Sequence, residues 1–139
     1  MHNEAVWVSN GKIAFESDGA DGGRLVPEES NGTYLVPCVD IRDIIMHYPR
    51  IEFLKIDIEG AENEVIPRLD GYLSHVERLF VEYHERRGKP QGLAEILSIL
   101  SKNDLKYTIF NISDRIYSAF MKPWDHPNYS QQLIIYAYR

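Results

Sequence analysis

Apolar residues recur along this chain at two spacings, and the spacings alternate in the order expected of an α/β domain. Runs of β type are "AVWVS" (5–9), "KIAFES" (12–17), "TYLVPCV" (33–39), "EFLKIDI" (52–58), "VERLFVEYH" (76–84), "LKYTIFNI" (105–112), "RIYSAFM" (115–121) and "QLIIYAYR" (132–139). The first two flank Asn10-Gly11, the strongest short signal for a β-hairpin. Pro37 has no N–H for a ladder, so it belongs at an edge or a strand end.

Helical spacing takes over between these runs. Asp40 has the chemistry of an N-cap, and Ile41, Ile44, Ile45 and Tyr48 follow on one face until Pro49 closes the helix. "AENEVIPRL" (61–69) reads as a helix that Pro67 kinks or ends, with Gly71 as terminator. Pro90 opens a third helix, whose Leu93, Ile96, Leu97 and Leu100 form one apolar stripe. The polar, glycine-rich stretch 18–32 is expected to be a flexible loop, and residues 1–139 a single domain.

Composition narrows the class of protein. Of 139 residues 44% are hydrophobic, enough for a real core. No stretch approaches the roughly eighteen apolar residues of a membrane span, and "MHNEAVWVSN" lacks the regions of a signal peptide, so the expected setting is cytoplasmic and without membrane. Fifteen basic against 21 acidic residues leave a net charge of −6, which argues against nucleic acid as a partner. The lone cysteine, Cys38, excludes an internal disulfide and reads as a small core residue.

Candidate chemistry gathers where two strands end. "EFLKIDI" and "VERLFVEYH" are nearly continuous apolar runs separated by a helix, the pattern of parallel neighbours buried on both faces. A right-handed crossover brings their C-terminal ends to one rim, where ligands sit in open α/β sheets. That rim carries Asp57 and Glu59 from the first strand and Glu82 and His84 from the second. If the first strand stays extended through Glu59, Lys55, Asp57 and Glu59 share a side, as do Glu82 and His84. Gly60 lets the chain turn into the helix, where Glu62 in the first turn meets the positive end of the dipole. Blander readings stand beside these: a Lys55 salt bridge or a helix cap for Asp57, a helix-start, solvent-facing position for Glu62 and Glu64, and a rim or core histidine for His84.

"FLKIDIEGAENEVI" followed by "LFVEYHE" resembles the FkbM-type methyltransferases, and the resemblance extends from "HNEAVWVSNGKIAF" to "QLIIYAYR". It implies a Rossmann-like class I fold, with a mixed sheet and an antiparallel C-terminal strand. It further implies S-adenosylmethionine as cofactor and a hydroxyl of a sugar, polyketide or other metabolite as acceptor. The early strands and the glycine-rich cofactor turn of that class have no counterpart, so the chain resembles its C-terminal half, and its own binding of the cofactor is expected to be weak. Carried over by position, Asp57, Gly60 and Glu62 fall on the cofactor side; Asp57 positions cofactor or acceptor, Glu59 and Glu82 orient the acceptor hydroxyl, and His84 is the candidate general base. Tyr83, Tyr117, Trp124 and Tyr129 are candidates to stack on a sugar, with ordinary core or surface packing as the equal alternative, and 121–132 suits a loop over the acceptor site. Two other readings remain open. One is a metal-dependent enzyme using Asp57, Glu59, Glu82 and His84. The other is a non-catalytic assembly module. Strand 52–58, an edge without its lost neighbour, is expected to be covered by the hairpin 5–17 or by a second copy in a homodimer.

Overall fold

The computed structural model describes residues 3–17, 23–26, 33–112 and 129–139. It is a mixed α/β structure with two four-stranded sheets, each combining parallel and antiparallel pairs. The first holds β1 (Ala5–Trp7), β2 (Gly11–Ser17), β3 (Gly23–Val26) and β4 (Thr33–Asp40) in the order β1-β4-β2-β3. The second holds β5 (Leu54–Ile56), β6 (Arg78–Arg86), β7 (Lys106–Asn111) and β8 (Tyr129–Tyr138) in the order β5-β6-β8-β7.

The expected hairpin at Asn10-Gly11 does not form. β4 lies between β1 and β2, parallel to the first and antiparallel to the second, so the two runs never pair. Asn10 instead reaches across to the start of the next helix: its Oδ1 accepts the Asp40 N–H at 2.9 Å and its Nδ2 donates to Asp43 at 2.7 Å. Long-range bonds of the side chain have overridden its turn preference. The same arrangement rules out the hairpin as a cover for strand 52–58, because β1 and β2 are committed to β4. Pro37 precedes by one residue the point where the β1 ladder begins, at Cys38, which is the edge-like position its missing N–H calls for. Strand β3 also corrects the single flexible loop expected over 18–32, since Gly23–Val26 pairs with β2; positions 18–22 and 27–32 lie outside the described residues.

Helix α1 (Ile41–Met46) starts as expected, with the Asp40 side chain accepting the Arg42 N–H and Ile41 and Ile45 buried. The segment 61–69 divides into α2 (Glu62–Val65) and a 3₁₀ turn (Ile66–Leu69), with Pro67 in the first residues of that turn, where a missing N–H costs least. Helix α3 (Leu93–Lys102) begins three residues after Pro90 and buries Ile96, Ile99 and Leu100, with Leu93 and Leu97 on its flanks.

These helices cover one face of the second sheet. Leu79, Val81 and Tyr83 of β6 alternate inward with Leu133, Ile135 and Ala137 of β8, and meet Val65, Ile66, Leu69, Ile96 and Leu100. On the opposite face Phe80, Tyr136 and Phe110 touch edge to face, with the last two exposed. The expectation of strands buried on both faces therefore holds for one face only. Strand β5 is three residues long and ends at Ile56 rather than continuing through Glu59, and Phe53 before it is exposed. The segment 115–121 lies outside the described residues.

Candidate functional site

The parallel pair β5 and β6 brings Ile56 beside Val81, so the residues following β5 and the end of β6 share one rim, as the crossover rule requires. Asp57, Glu59, Glu82 and His84 all meet there. They arrive by a route that strand periodicity does not foresee. Glu59 has φ 54° and Gly60 φ 92°, two successive residues in the left-handed region, so a turn carries Glu59 toward His84 instead of an extended strand. Gly60 is required twice over, because a Cβ there would lie 2.6 Å from Cδ of Arg86, whose stem crosses the turn.

His84 is the centre of the cluster, only 1% exposed. Its Nδ1 lies 3.3 Å from Oε1 of Glu62, and its Nε2 lies 3.6 Å from Glu82 and 3.9 Å from Glu59. Burial is the largest influence on the ring and disfavours its charged form. The hydrogen bond and charge of Glu62, with the charges of Glu59 and Glu82, outweigh it and raise the pKa above its ordinary value of 6.5. Asp57 is exposed and pairs with Lys55 at 3.0 Å, so the salt-bridge reading of Asp57 and its place at the rim are both met. One donor atom from each of Asp57, Glu59 and His84 falls within 4.8 Å of the others, a set of oxygen and nitrogen donors that could hold a divalent cation.

Glu62 is the residue whose place sequence reasoning missed. It is wholly buried rather than facing the rim. Oε1 accepts the N–H groups of Ile58 at 3.1 Å and Gly60 at 3.3 Å, and Oε2 accepts the N–H of His84 at 3.4 Å. A signal was available, since Glu62 shares the spacing of Val65, Ile66 and Leu69, the buried face of its segment. Glu64, by contrast, is exposed as expected.

Of the four stacking candidates the described side chains include Tyr83 alone. Tyr83 is buried, its hydroxyl accepting the Gly92 N–H at 3.3 Å, and cannot stack on a ligand. Tyr117 and Trp124 lie outside the described residues, as does most of the expected loop 121–132, whose last positions belong to β8, with Tyr129 as its first residue. Cys38 is buried, and burial first, then the charge of Glu4, raises its pKa, which suits a core thiol. Among the described residues no helix is long and apolar enough to cross a membrane.

Comparison with known protein families matches residues 3–109 to the methyltransferase FkbM domain. No curated protein and no solved structure matches the chain.

Proposed function

The chain belongs to the methyltransferase FkbM domain family, and on that premise we propose that it is the acceptor-side part of an S-adenosylmethionine-dependent O-methyltransferase acting on a hydroxyl of a sugar or secondary metabolite. The fold would then be Rossmann-like, with β5, β6, β8 and β7 as the C-terminal half of its sheet and β8 as the antiparallel strand. One observation carries the reading: a buried imidazole, held at Nδ1 by Glu62, turns Nε2 toward a carboxylate-lined rim.

S-adenosylmethionine supplies a methyl group on a positively charged sulfur when bound. Asp57 and Glu59 make the rim attractive to that charge. Glu59 and Glu82 would accept hydrogen bonds from neighbouring hydroxyls of the acceptor and so aim the reacting one, and Nε2 of His84 would take that hydroxyl's proton as the methyl group passes from sulfur to its oxygen and the sulfur leaves as a neutral thioether. The fit to the cofactor is incomplete, because among the described residues no strand passes through a G-x-G turn into a helix. Calorimetry on the chain alone is therefore expected to show weak binding or none. The remaining anchoring groups would come from another part of a fuller protein. Strand β5, paired with β6 alone among the described strands, offers an edge for that part or for a second copy in a symmetric dimer, which light scattering would detect.

An assay of labelled methyl transfer against a panel of hydroxylated acceptors, using the full-length protein, tests the reading. H84A or D57A that transfers methyl at the wild-type rate removes that residue from the mechanism. The Asp57, Glu59 and His84 donor set favours a second reading, a metal-dependent enzyme. Heat released on titration with Mg²⁺ or Mn²⁺, abolished by D57N, would support it.

A further inference from the structure

We propose that Glu62 is the positioning residue of this site: it holds His84 as the Nδ1–H tautomer and fixes the turn that brings Glu59 to the same space. The proposal deepens the reading of His84 as proton acceptor and rests on it for its kinetic consequence, though not for its structural one.

Backbone donors surround the Glu62 oxygens. The N–H groups of Ile58 and Gly60 meet Oε1 and the N–H of His84 meets Oε2. A backbone N–H can only donate, so both oxygens act as acceptors. The imidazole Nδ1 is 3.3 Å from the same Oε1, and against an acceptor it must carry a proton. In the neutral ring the bare nitrogen is then Nε2, the one that faces Glu59 and Glu82. The other tautomer would set a lone pair 3.3 Å from a carboxylate with no exposed surface, whereas the carboxylates facing the Nε2 lone pair, Glu82 and Glu59, lie farther off at 3.6 and 3.9 Å and reach solvent that screens them.

The same carboxylate shapes the turn. Glu59 at φ 54° is a non-glycine residue in a region that side chains disfavour. The residues on either side of it, Ile58 and Gly60, are tied to one oxygen atom, which leaves the peptide between them little freedom to relax. A simple helix cap does not account for this arrangement. Helix α2 is only four residues long, and two of the four contacts run to β6, a separate strand. The geometry is that of an orienting group behind a working imidazole.

The decisive measurement is the ¹⁵N spectrum of the His84 ring in the chain as it stands, on the alkaline side of its titration. We expect a protonated Nδ1 and a bare Nε2, and the reverse assignment overturns the proposal. In E62Q the side-chain amide must turn an N–H toward at least one of these donors. The tautomers are then expected to mix, and in full-length protein that transfers methyl, kcat should fall about 10- to 100-fold with KM little changed. E62D, which keeps the charge on a shorter stem, should recover part of that loss. A wild-type tautomer and wild-type kcat in E62Q would also overturn the proposal. Should E62Q not fold, the wild-type spectrum decides alone. Should no acceptor be methylated, the proposed function fails while the spectrum still judges Glu62.

Discussion

Asp40 and Glu62 are both buried carboxylates at the start of a helix, and their surroundings differ in kind. Asp40 caps α1 and binds two guanidinium groups, Arg42 at 2.7 Å and Arg68 at 3.3 Å, with Arg42 also lying over the ring of Tyr72. Its partners are permanent cations that reach solvent, and hydrogen bonding from Arg42, ahead of every other influence, holds its carboxyl well below the usual carboxylate range. Glu62 binds backbone N–H groups and an imidazole, a group whose charge changes near neutral pH. One cluster is a clamp with nothing left to titrate under ordinary conditions. The other joins the core to an imidazole at the rim. Burial and a full set of bonds are therefore common to both carboxylates, and the nature of the partner separates them.

The largest expected effect comes from E62A, which leaves three backbone N–H groups, two of them buried, and a ring nitrogen without their acceptor. A loss on the order of 3–5 kcal/mol is expected in urea denaturation. D40A should cost less, about 2 kcal/mol, because it removes a cap but Arg42 and Arg68 can turn to water. Equal losses for the two would break the comparison. G60A comes next, at about 1–2 kcal/mol, from the strained φ and the contact with Arg86, and shortening Arg86 in the same chain should recover only the contact portion.

The pH dependence of stability is the smallest effect and the sharpest discriminator. His84 binds its proton more tightly folded than unfolded. Its contribution is therefore complete below its ordinary value of 6.5 and is lost as pH rises through the higher folded value. Asp40 behaves oppositely: its contribution is present above its ordinary 3.8 and is lost as pH falls toward the depressed folded value. Denaturation midpoints measured from about pH 3 to about pH 9 should thus fall at both ends. H84Q should flatten the alkaline limb and D40N the acid limb. The groups facing His84 in this prediction are Glu62, Glu59 and Glu82, so E59Q and E82Q should each shift the alkaline limb less than H84Q does.

Much of the second sheet is legible in the residue pattern. The apolar runs at β6 and β8, the stripe of α3 and the cap at Asp40 each depend on residues within a turn or two of one another. The rim membership of Asp57, Glu59, Glu82 and His84 follows from strand order alone. Glu62 escapes that reading because a charged residue at a helix start is usually solvated. Here the spacing of Val65, Ile66 and Leu69 carries it inward, and the donors that make its burial tolerable come from a turn and a distant strand.

The amino-acid sequence by itself determined the local elements, the family motif and the identity of the rim residues, because periodicity, capping and side-chain chemistry act over a few positions. Only the tertiary structure decided that β4 separates β1 from β2, that β5 stops at Ile56, and that Glu59 reaches His84 through a left-handed turn. The first depends on groups far apart in the chain, which strand ladders and the bond of Asn10 to Asp40 bring together; the turn is held by Ile58 and Gly60 on a carboxylate that itself bonds His84 of a separate strand, so local and distant bonds meet on one side chain.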